Sequence, residues 1–416
     1  MNIQSKPHKI KLFGTIAATL TAVFMMAFAP VAMASGGEEP GKFKAGEMIV
    51  HHISDAHSIH FFGHVSLSLP CIVKTDKGID VFMSSVFMNE HHEPTKSYTS
   101  ASTGNTYVLH HEKIYTIDPN AAAHEEAAPV AEMHVADATM AEADTLHTEH
   151  LDHAPAATEE VHAEEAHEEE FHGTPVMDFS ITKSVLGMLL MLALVLVIFV
   201  RMAKAYEKRK GQAPKGMQNA LEPLVLFIKD EVAIPALGKK RAQKFLPFLL
   251  TSFFFIWACN LLGLIPFMGG FNITGTLSVT LVLAGLVFVI TSINGNAHYW
   301  GHIVWPPGVP LAIKFILVPI EILSVFIKPA VLMIRLTANI NAGHIIILAF
   351  TSLIFIFGEK GAGAGYGVGV FSTAFMIFMY FIELLVAFLQ AYVFTLLAAL
   401  YFGDAMQEHH HEEAHH

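Results

Sequence analysis

The sequence predicts an all-α membrane protein with about five transmembrane helices, the last two long and strongly tilted, preceded by an N-terminal extramembrane extension. The 416 residues are 53% hydrophobic and only 15% charged, and their mean hydropathy of +0.47 excludes an ordinary soluble globule. Apolar residues are concentrated after position 180, whereas residues 36–175 are polar, acidic and rich in histidine. The last two apolar runs greatly exceed the roughly 20 residues that cross a bilayer.

Residues 1–34 have the pattern of a secretory signal peptide. Three lysines precede an apolar stretch at 12–31, and Ala32-Met33-Ala34 forms a small-x-small cleavage site before Ser35. The alternative is an anchor helix that is not cleaved. Both interpretations place residue 36 and the following segment outside the cytoplasm.

The extension divides by composition into two parts. Residues 35–118 alternate apolar and polar positions around a Lys-Gly turn, which predicts a few short strands in a semi-ordered segment. Residues 119–177 consist mainly of Ala, Glu and His with almost no aromatic residues. Such a composition does not bury a core, so this part is predicted to be a low-complexity spacer.

The membrane domain is expected at 178–403, with one span in each apolar run. The predicted spans are 184–200, about 245–265, about 276–293, about 311–357 and about 371–402. Pro319 and Pro329 offer bending points in the fourth.

Loop charge predicts the orientation of these spans. The basic segment 201–244 belongs in the cytoplasm by the positive-inside rule, and within it residues 219–237 form an amphipathic stretch expected along the membrane surface. Five spans then leave the His/Glu-rich tail, 404–416, in the cytoplasm. The glycine-rich segment 358–370 is predicted to be a flexible periplasmic connection, because it lacks the spacing of a phosphate-binding loop.

Charged residues inside the fourth span point to function. Glu321, Lys328 and Arg335 are seven residues apart and share one helix face with Asn339. An arginine at the centre of a membrane helix costs about 2.5–3.5 kcal/mol and keeps its charge. The alternative is a structural Glu–Lys pair together with an arginine that snorkels to the interface.

Polar residues of the fifth span complete the pattern. Glu383 and Gln390 are seven residues apart, and His344 follows Arg335 in the fourth span. Because the two spans run in opposite directions, His344 and Glu383 should share an outer level, and Arg335 and Gln390 a deeper one. Imidazole and carboxyl groups exchange protons near neutral pH, so the pattern predicts a proton entrance that ends at a fixed charge.

At these residues the chain resembles subunit a of the F-type ATP synthase. The resemblance covers about 178–403 and rests on RLTANINAGH (335–344), EILSVFIKPAVLMIR (321–335), NLLGLIP (260–266), NITGTLSVTLVLA (272–284) and the Glu383/Gln390 pair. It implies that Arg335 is the family's essential arginine and that the outer half-channel is lined by Asn339, His344, Glu383 and Gln390. The His-then-Glu order exchanges a pair that some relatives carry as Glu-then-His.

The resemblance implies a proton-translocating stator subunit of a bacterial inner membrane, with a periplasmic extension and a cytoplasmic C-terminus. Its partners would be the rotating c-subunit ring, the b subunits of the peripheral stalk, other ATP synthase subunits and the lipid bilayer, without nucleic acid. The subunit would be no enzyme and carry no cofactor, because the nucleotide sites belong to other subunits. In this family the choice between H⁺ and Na⁺ rests largely on the ring.

A different function, divalent-metal transport, is suggested by the histidines outside the membrane. They are His124, His134, His147, His150, His153, His162, His167 and His172, with the tail HHHEEAHH. Metal transporters need several convergent ligands inside the membrane, and here only His344 and Glu383 converge, beside an arginine that repels metal ions. The histidines could instead buffer metal weakly, or belong to a solvated spacer.

Overall fold

The computed structural model describes residues 45–60, 66–88, 97–110, 112–117, 173–265 and 270–407. The predicted signal peptide, most of the predicted spacer and the end of the C-terminal tail lie outside these residues. The described residues form a small extramembrane module with strands, followed by long helices.

The extramembrane module begins with helix α1, Ala45–Ile53, and continues as short antiparallel strands. The strands are β1 Ser58–His60, β2 Ser66–Ser68, β3 Pro70–Thr75, β4 Gly78–Met83, β5 Tyr98–Thr99, β6 Thr106–His110, β7 Lys113–Ile117, β8 Thr174–Pro175 and β9 Met177–Asp178. They pair as β1-β2, β4-β3-β9 and β5-β6-β7-β8. The short strands predicted before residue 118 are therefore present.

Strand β8 lies at the far end of the predicted spacer, and β9 crosses the predicted boundary between the spacer and the membrane domain. In β8, Thr174 pairs with Thr116, and in β9, Asp178 pairs with Val73. The Asp178 carboxylate also lies 2.8 Å from His57 Nε2. The module therefore joins chain segments from both sides of residues 118–172.

A buried carboxylate organises the core of this module. Asp80 in β4 is buried and accepts hydrogen bonds from the hydroxyl groups of Ser100, Ser102, Thr103 and Tyr107. Burial favours the neutral acid, but these donors outweigh it and lower the pKa of Asp80 to about 2. The ionised Asp80 carboxylate therefore holds the core of the module together through four hydrogen bonds.

Five helical stretches among the described residues are long and apolar enough to cross a membrane, which confirms the predicted number. The helices are α2 Lys183–Lys208, α3 Met217–Phe227, α4 Ile234–Gly263, α5 Leu277–Asn294, α6 Ala297–Val304, α7 Leu311–Glu359 and α8 Ala362–Ala405. A π-helical segment, Ile228–Ala233, joins α3 to α4. Helix α7 is continuous through both of its prolines, and at 49 residues it is about 74 Å long.

The predicted amphipathic stretch forms its own helical unit before the second span. Gly238 interrupts α4 with a positive φ of 74°, a conformation that glycine adopts without steric cost. At the opposite end of the chain, the Gly403 Cα faces the Ala236 carbonyl so closely that a side chain would collide with it. The end of α8 therefore packs directly on the backbone of this unit.

The prediction of a flexible connection at 358–370 is wrong. Helix α7 ends at Glu359 and α8 begins at Ala362, so most of these glycines are helical. A Cβ added at Gly365 would lie only 3.0 Å from the Gly358 Cα. The glycines instead let two helix backbones approach closely where the chain reverses, as small residues do between membrane helices.

Candidate functional site

The antiparallel helices α7 and α8 bring the predicted polar residues together at two levels. At the first level, the Asn339 amide nitrogen donates to Gln390 Oε1 at 2.9 Å. Gln390 is only 4% exposed, whereas Asn339 is exposed. Arg335, partly exposed, lies one helical turn before Asn339 on α7. The direct partner of Gln390 is thus Asn339, one turn from the arginine expected at its level.

The second level, called the outer level in the sequence prediction, contains His344 and Glu383. Glu383 is 5% exposed and packs on Gly343, where an added Cβ would lie 2.6 Å from the carboxylate Oε1. The neighbouring residue, His344, directs its imidazole towards Gly263 of α4, 3.4 Å from the position of a Cβ there. The carboxyl and imidazole groups therefore reach the same turn of α7, and glycines make room for both.

Glu321 and Lys328, which the sequence places on the same helix face as Arg335, lie in the first half of α7. Lys328 Nζ is 3.9 Å from the Asp404 carboxylate of α8 and 5.6 Å from the Tyr401 ring. Glu321 accepts a hydrogen bond at its main-chain carbonyl from Ser324. The carboxylate near Lys328 is thus that of Asp404, rather than that of Glu321 in the alternative interpretation.

Polar residues of α4 and α5 also contribute, and their roles were not identified from the sequence. Asn260 donates to the Ala387 carbonyl of α8 at 3.1 Å and accepts from Thr274 at 2.6 Å. The hydroxyl groups of Thr280 and Thr337 lie 2.7 Å apart and join α5 to α7. The sequence feature that could have identified Asn260 is its position as a polar residue in an otherwise apolar run.

One side of this site is not covered by the described chain. Ile334 and Ile345 of α7 are exposed next to Arg335 and His344, and Leu385 of α8 is exposed after Glu383. Such a large apolar surface needs lipid or a protein partner. The polar levels therefore border a surface at which another membrane component can meet them.

Chemically, the two levels differ in what they can do with a proton. A carboxyl and an imidazole group can each accept and release one, whereas an amide cannot and a guanidinium stays charged. Within the described part of the chain, no group of three or more His, Cys, Asp or Glu side chains could hold a metal ion. The His-rich segment and the tail histidines lie outside that part.

Comparison with known proteins agrees with these features. The family model described as ATP synthase A chain matches residues 185–403, more than half of the sequence. A second model, a domain of unknown function (DUF8433), matches residues 48–138 and so overlaps the extramembrane module.

Curated relatives are similar over a comparable length of the chain. ATP synthase subunit a of Chloroherpeton thalassium is 42% identical over 245 residues, 57% of this chain and 70% of that protein. ATP synthase subunit a 2 of Chlorobaculum tepidum is 48% identical over 236 residues, 55% of this chain and 64% of that protein. A subunit a from an Anaeromyxobacter species is 36% identical over 247 residues, 58% of this chain and 57% of that protein.

The match to the second relative covers slightly less than two thirds of that protein's length, whereas the match to the first exceeds two thirds. The family match, the five long apolar helices and the polar residues on α7 and α8 are mutually consistent. The chain therefore belongs to the ATP synthase A chain family.

Proposed function

We propose that this chain is the proton-translocating stator subunit of an ATP synthase membrane sector. The observation that carries the proposal is the pair of adjoining polar levels, His344 with Glu383 and Asn339 with Gln390, that ends one turn from Arg335. A half-channel needs groups that bind protons first, then polar groups such as amides, and finally a permanent positive charge. The residues of this site occur in that order. The subunit itself would carry out no covalent chemistry.

In the proposed mechanism, His344 and Glu383 receive protons from the periplasmic side and pass them inward. Asn339 and Gln390 orient water at the next level through the hydrogen bond that they share. Arg335 attracts an ionised carboxylate on the partner and so favours release of its proton. The same positive charge repels protons and prevents a direct leak between the inlet and outlet half-channels.

The partner proposed for the uncovered surface is the ring of c subunits. Arg335 and Asn339 lie on α7 among exposed apolar side chains, so a membrane partner could approach the guanidinium directly. Long helices such as α7 and α8 could follow a curved neighbour if they tilt. The b subunits of the peripheral stalk and the lipid bilayer would contact other surfaces.

We further propose an inner-membrane location with a periplasmic extension and a cytoplasmic C-terminus. The division would be a signal peptide at 1–34, a periplasmic segment at 35–118, a spacer at 119–177, a membrane domain at 178–403 and a tail at 404–416. The basic residues of segment 201–244, which runs from the end of α2 to the first part of α4, support this orientation through the positive-inside rule.

The test is substitution of Arg335 by alanine and by lysine in the assembled enzyme. Both variants should lose ion-driven ATP synthesis in membrane vesicles while the subunit still co-purifies with the ring. Lysine should fail as well, because a compact ammonium does not replace a planar guanidinium. Arg201→Ala, an exposed arginine near the end of α2, is the matched control and should keep wild-type rates. Wild-type synthesis by Arg335→Ala would refute the proposal.

A further inference from the structure

Helix α1 of the extramembrane module ends directly on the membrane helices. The backbone nitrogen of Lys183, the first residue of α2, donates to the Ala56 carbonyl at 2.8 Å. The Lys183 ammonium lies 3.5 Å from the His52 carbonyl, and the Asn272 amide lies 3.4 Å from the Ile53 carbonyl. We call this contact region, residues 52–56 with 182–184 and 270–276, the seam.

Buried polar groups hold the seam together. Asp55 accepts hydrogen bonds from the Thr182 hydroxyl at 2.8 Å and from the Ser184 backbone at 2.9 Å, so it caps the start of α2. Lys183 is only 4% exposed and Ser184 is buried. A buried ammonium group is costly unless polar groups surround it. The polar groups around Lys183 therefore fix the position of the module over α2.

The seam reaches the outer polar level through a chain of amide groups. Asn272 donates to Asn341 Oδ1 at 2.5 Å, and Asn341 donates to the Gly275 carbonyl at 3.1 Å. Asn341 lies on α7 only three residues before His344, within the same helical turn. The loop at 270–276 therefore lies between the extramembrane helix and the level that contains the imidazole and the carboxyl group.

Two buried oxygen atoms on either side of this turn lack a partner among the described residues. They are Asn272 Oδ1, on a side chain that is 4% exposed, and Glu383 Oε2. Buried acceptors of this kind are almost always satisfied, and ordered water is the usual partner when protein groups are absent. One acceptor lies at the seam and the other at the outer level.

We propose that the proton inlet opens at the seam, beneath helix α1, and that Asn272 lines the water path from the seam to His344 and Glu383. This inference rests on the proposed function, because it extends the same inlet outward. In this arrangement the extramembrane module covers the entrance of the inlet and so takes part in ion conduction. Asn272 acts as a positioning residue that orients water, and it takes up no proton itself.

Access of silver ions to introduced thiols tests this path in the membrane sector of the assembled enzyme complex. Asn272→Cys is made in a background without the native thiols, Cys71→Ala with Cys259→Ala, and passive proton conduction is measured after the nucleotide-hydrolysing head has been removed. Silver should remove most of the conduction, because the bound ion displaces the water of the proposed path. The cysteine-free background supplies the baseline, because histidines of the extension also bind silver.

The matched control is Asp76→Cys, on the exposed turn between β3 and β4 of the same module. A thiol there meets silver without lying on the path, so conduction should equal the baseline. If Asn272→Cys fails to assemble, Asn341→Cys is tested by the same criterion. Conduction that silver leaves unchanged in Asn272→Cys, or in Asn341→Cys where Asn272→Cys does not assemble, would overturn the inference. Because the Arg335 variants are measured separately, loss of the seam path would leave the proposed function standing.

Discussion

Gly343→Ala should inactivate the subunit without preventing its assembly. The added Cβ would lie 2.6 Å from Glu383 Oε1 and 2.8 Å from its carboxyl carbon. Ordinary contact begins near 3.4 Å, so the carboxyl group must move by about 0.8 Å. The colliding atoms are at the end of a flexible side chain, and the fold can therefore accommodate the methyl group by turning Glu383 away.

The functional cost follows from that displacement. A misplacement of about 1 Å in a reacting group can lower a rate about 100-fold, so a shift of this size should reduce proton pumping about tenfold to 100-fold. Pumping is measured as ATP-driven acidification of inverted membrane vesicles, and assembly as the amount of subunit that co-purifies with the ring. The expected result is normal assembly with strongly reduced acidification.

Gly367→Ala is the matched control on α8. It is also a helical glycine, but nothing lies within 4 Å of an added Cβ. Alanine should be tolerated there with an unchanged rate. Unchanged pumping by Gly343→Ala would mean that the carboxylate need not occupy its place against α7, and the shared outer level would have to be abandoned.

Three further outcomes are expected. The double exchange His344→Glu with Glu383→His should pump faster than either single variant, because it restores one carboxyl and one imidazole group; strictly additive losses would indicate that the two do not interact. Gly403→Ala should prevent accumulation of the subunit in membranes, because its methyl group would meet the Ala236 backbone, which cannot turn away; normal accumulation would contradict this packing. The lowered pKa of Asp80 stabilises the module, and this contribution is complete above about pH 4 and lost as the pH falls towards 2. Hydrogen-exchange protection factors of the strand amides should therefore decline over that range. The variant Asp80→Asn should show a flatter decline.

Much of the membrane architecture is predictable from the order of residues alone. The length of each apolar run predicts a span, and a seven-residue spacing places Glu383 and Gln390 on one face of α8. Opposite helix directions then predict which residues of α7 and α8 share a level. The expected partner of Gln390 was one turn off, because helix direction determines the order of levels but not the stagger between two helices. The observed hydrogen bond joins it to Asn339.

Other features depend on contacts between segments that are distant in the chain. The space that Gly343 and Gly263 leave for the outer level exists only once α4, α7 and α8 are packed together. Glycine in a helix otherwise suggests flexibility, which explains the incorrect expectation for residues 358–370. Strands β8 and β9 have two residues each, too few for an alternation pattern to reveal them.

The pairing of β7 with β8 has a consequence for how this chain tolerates change. Strand β7 ends at Ile117 and β8 begins at Thr174, and the two strands pair side by side, with Thr116 opposite Thr174. The free energy of closing such a loop grows slowly, by about 0.6 kcal/mol for each doubling of its length. We therefore expect the sequence between these strands to accept inserted reporters or large deletions without moving α2 or the proposed inlet. The same anchoring would hold the two parts of the module together after a protease cut between them.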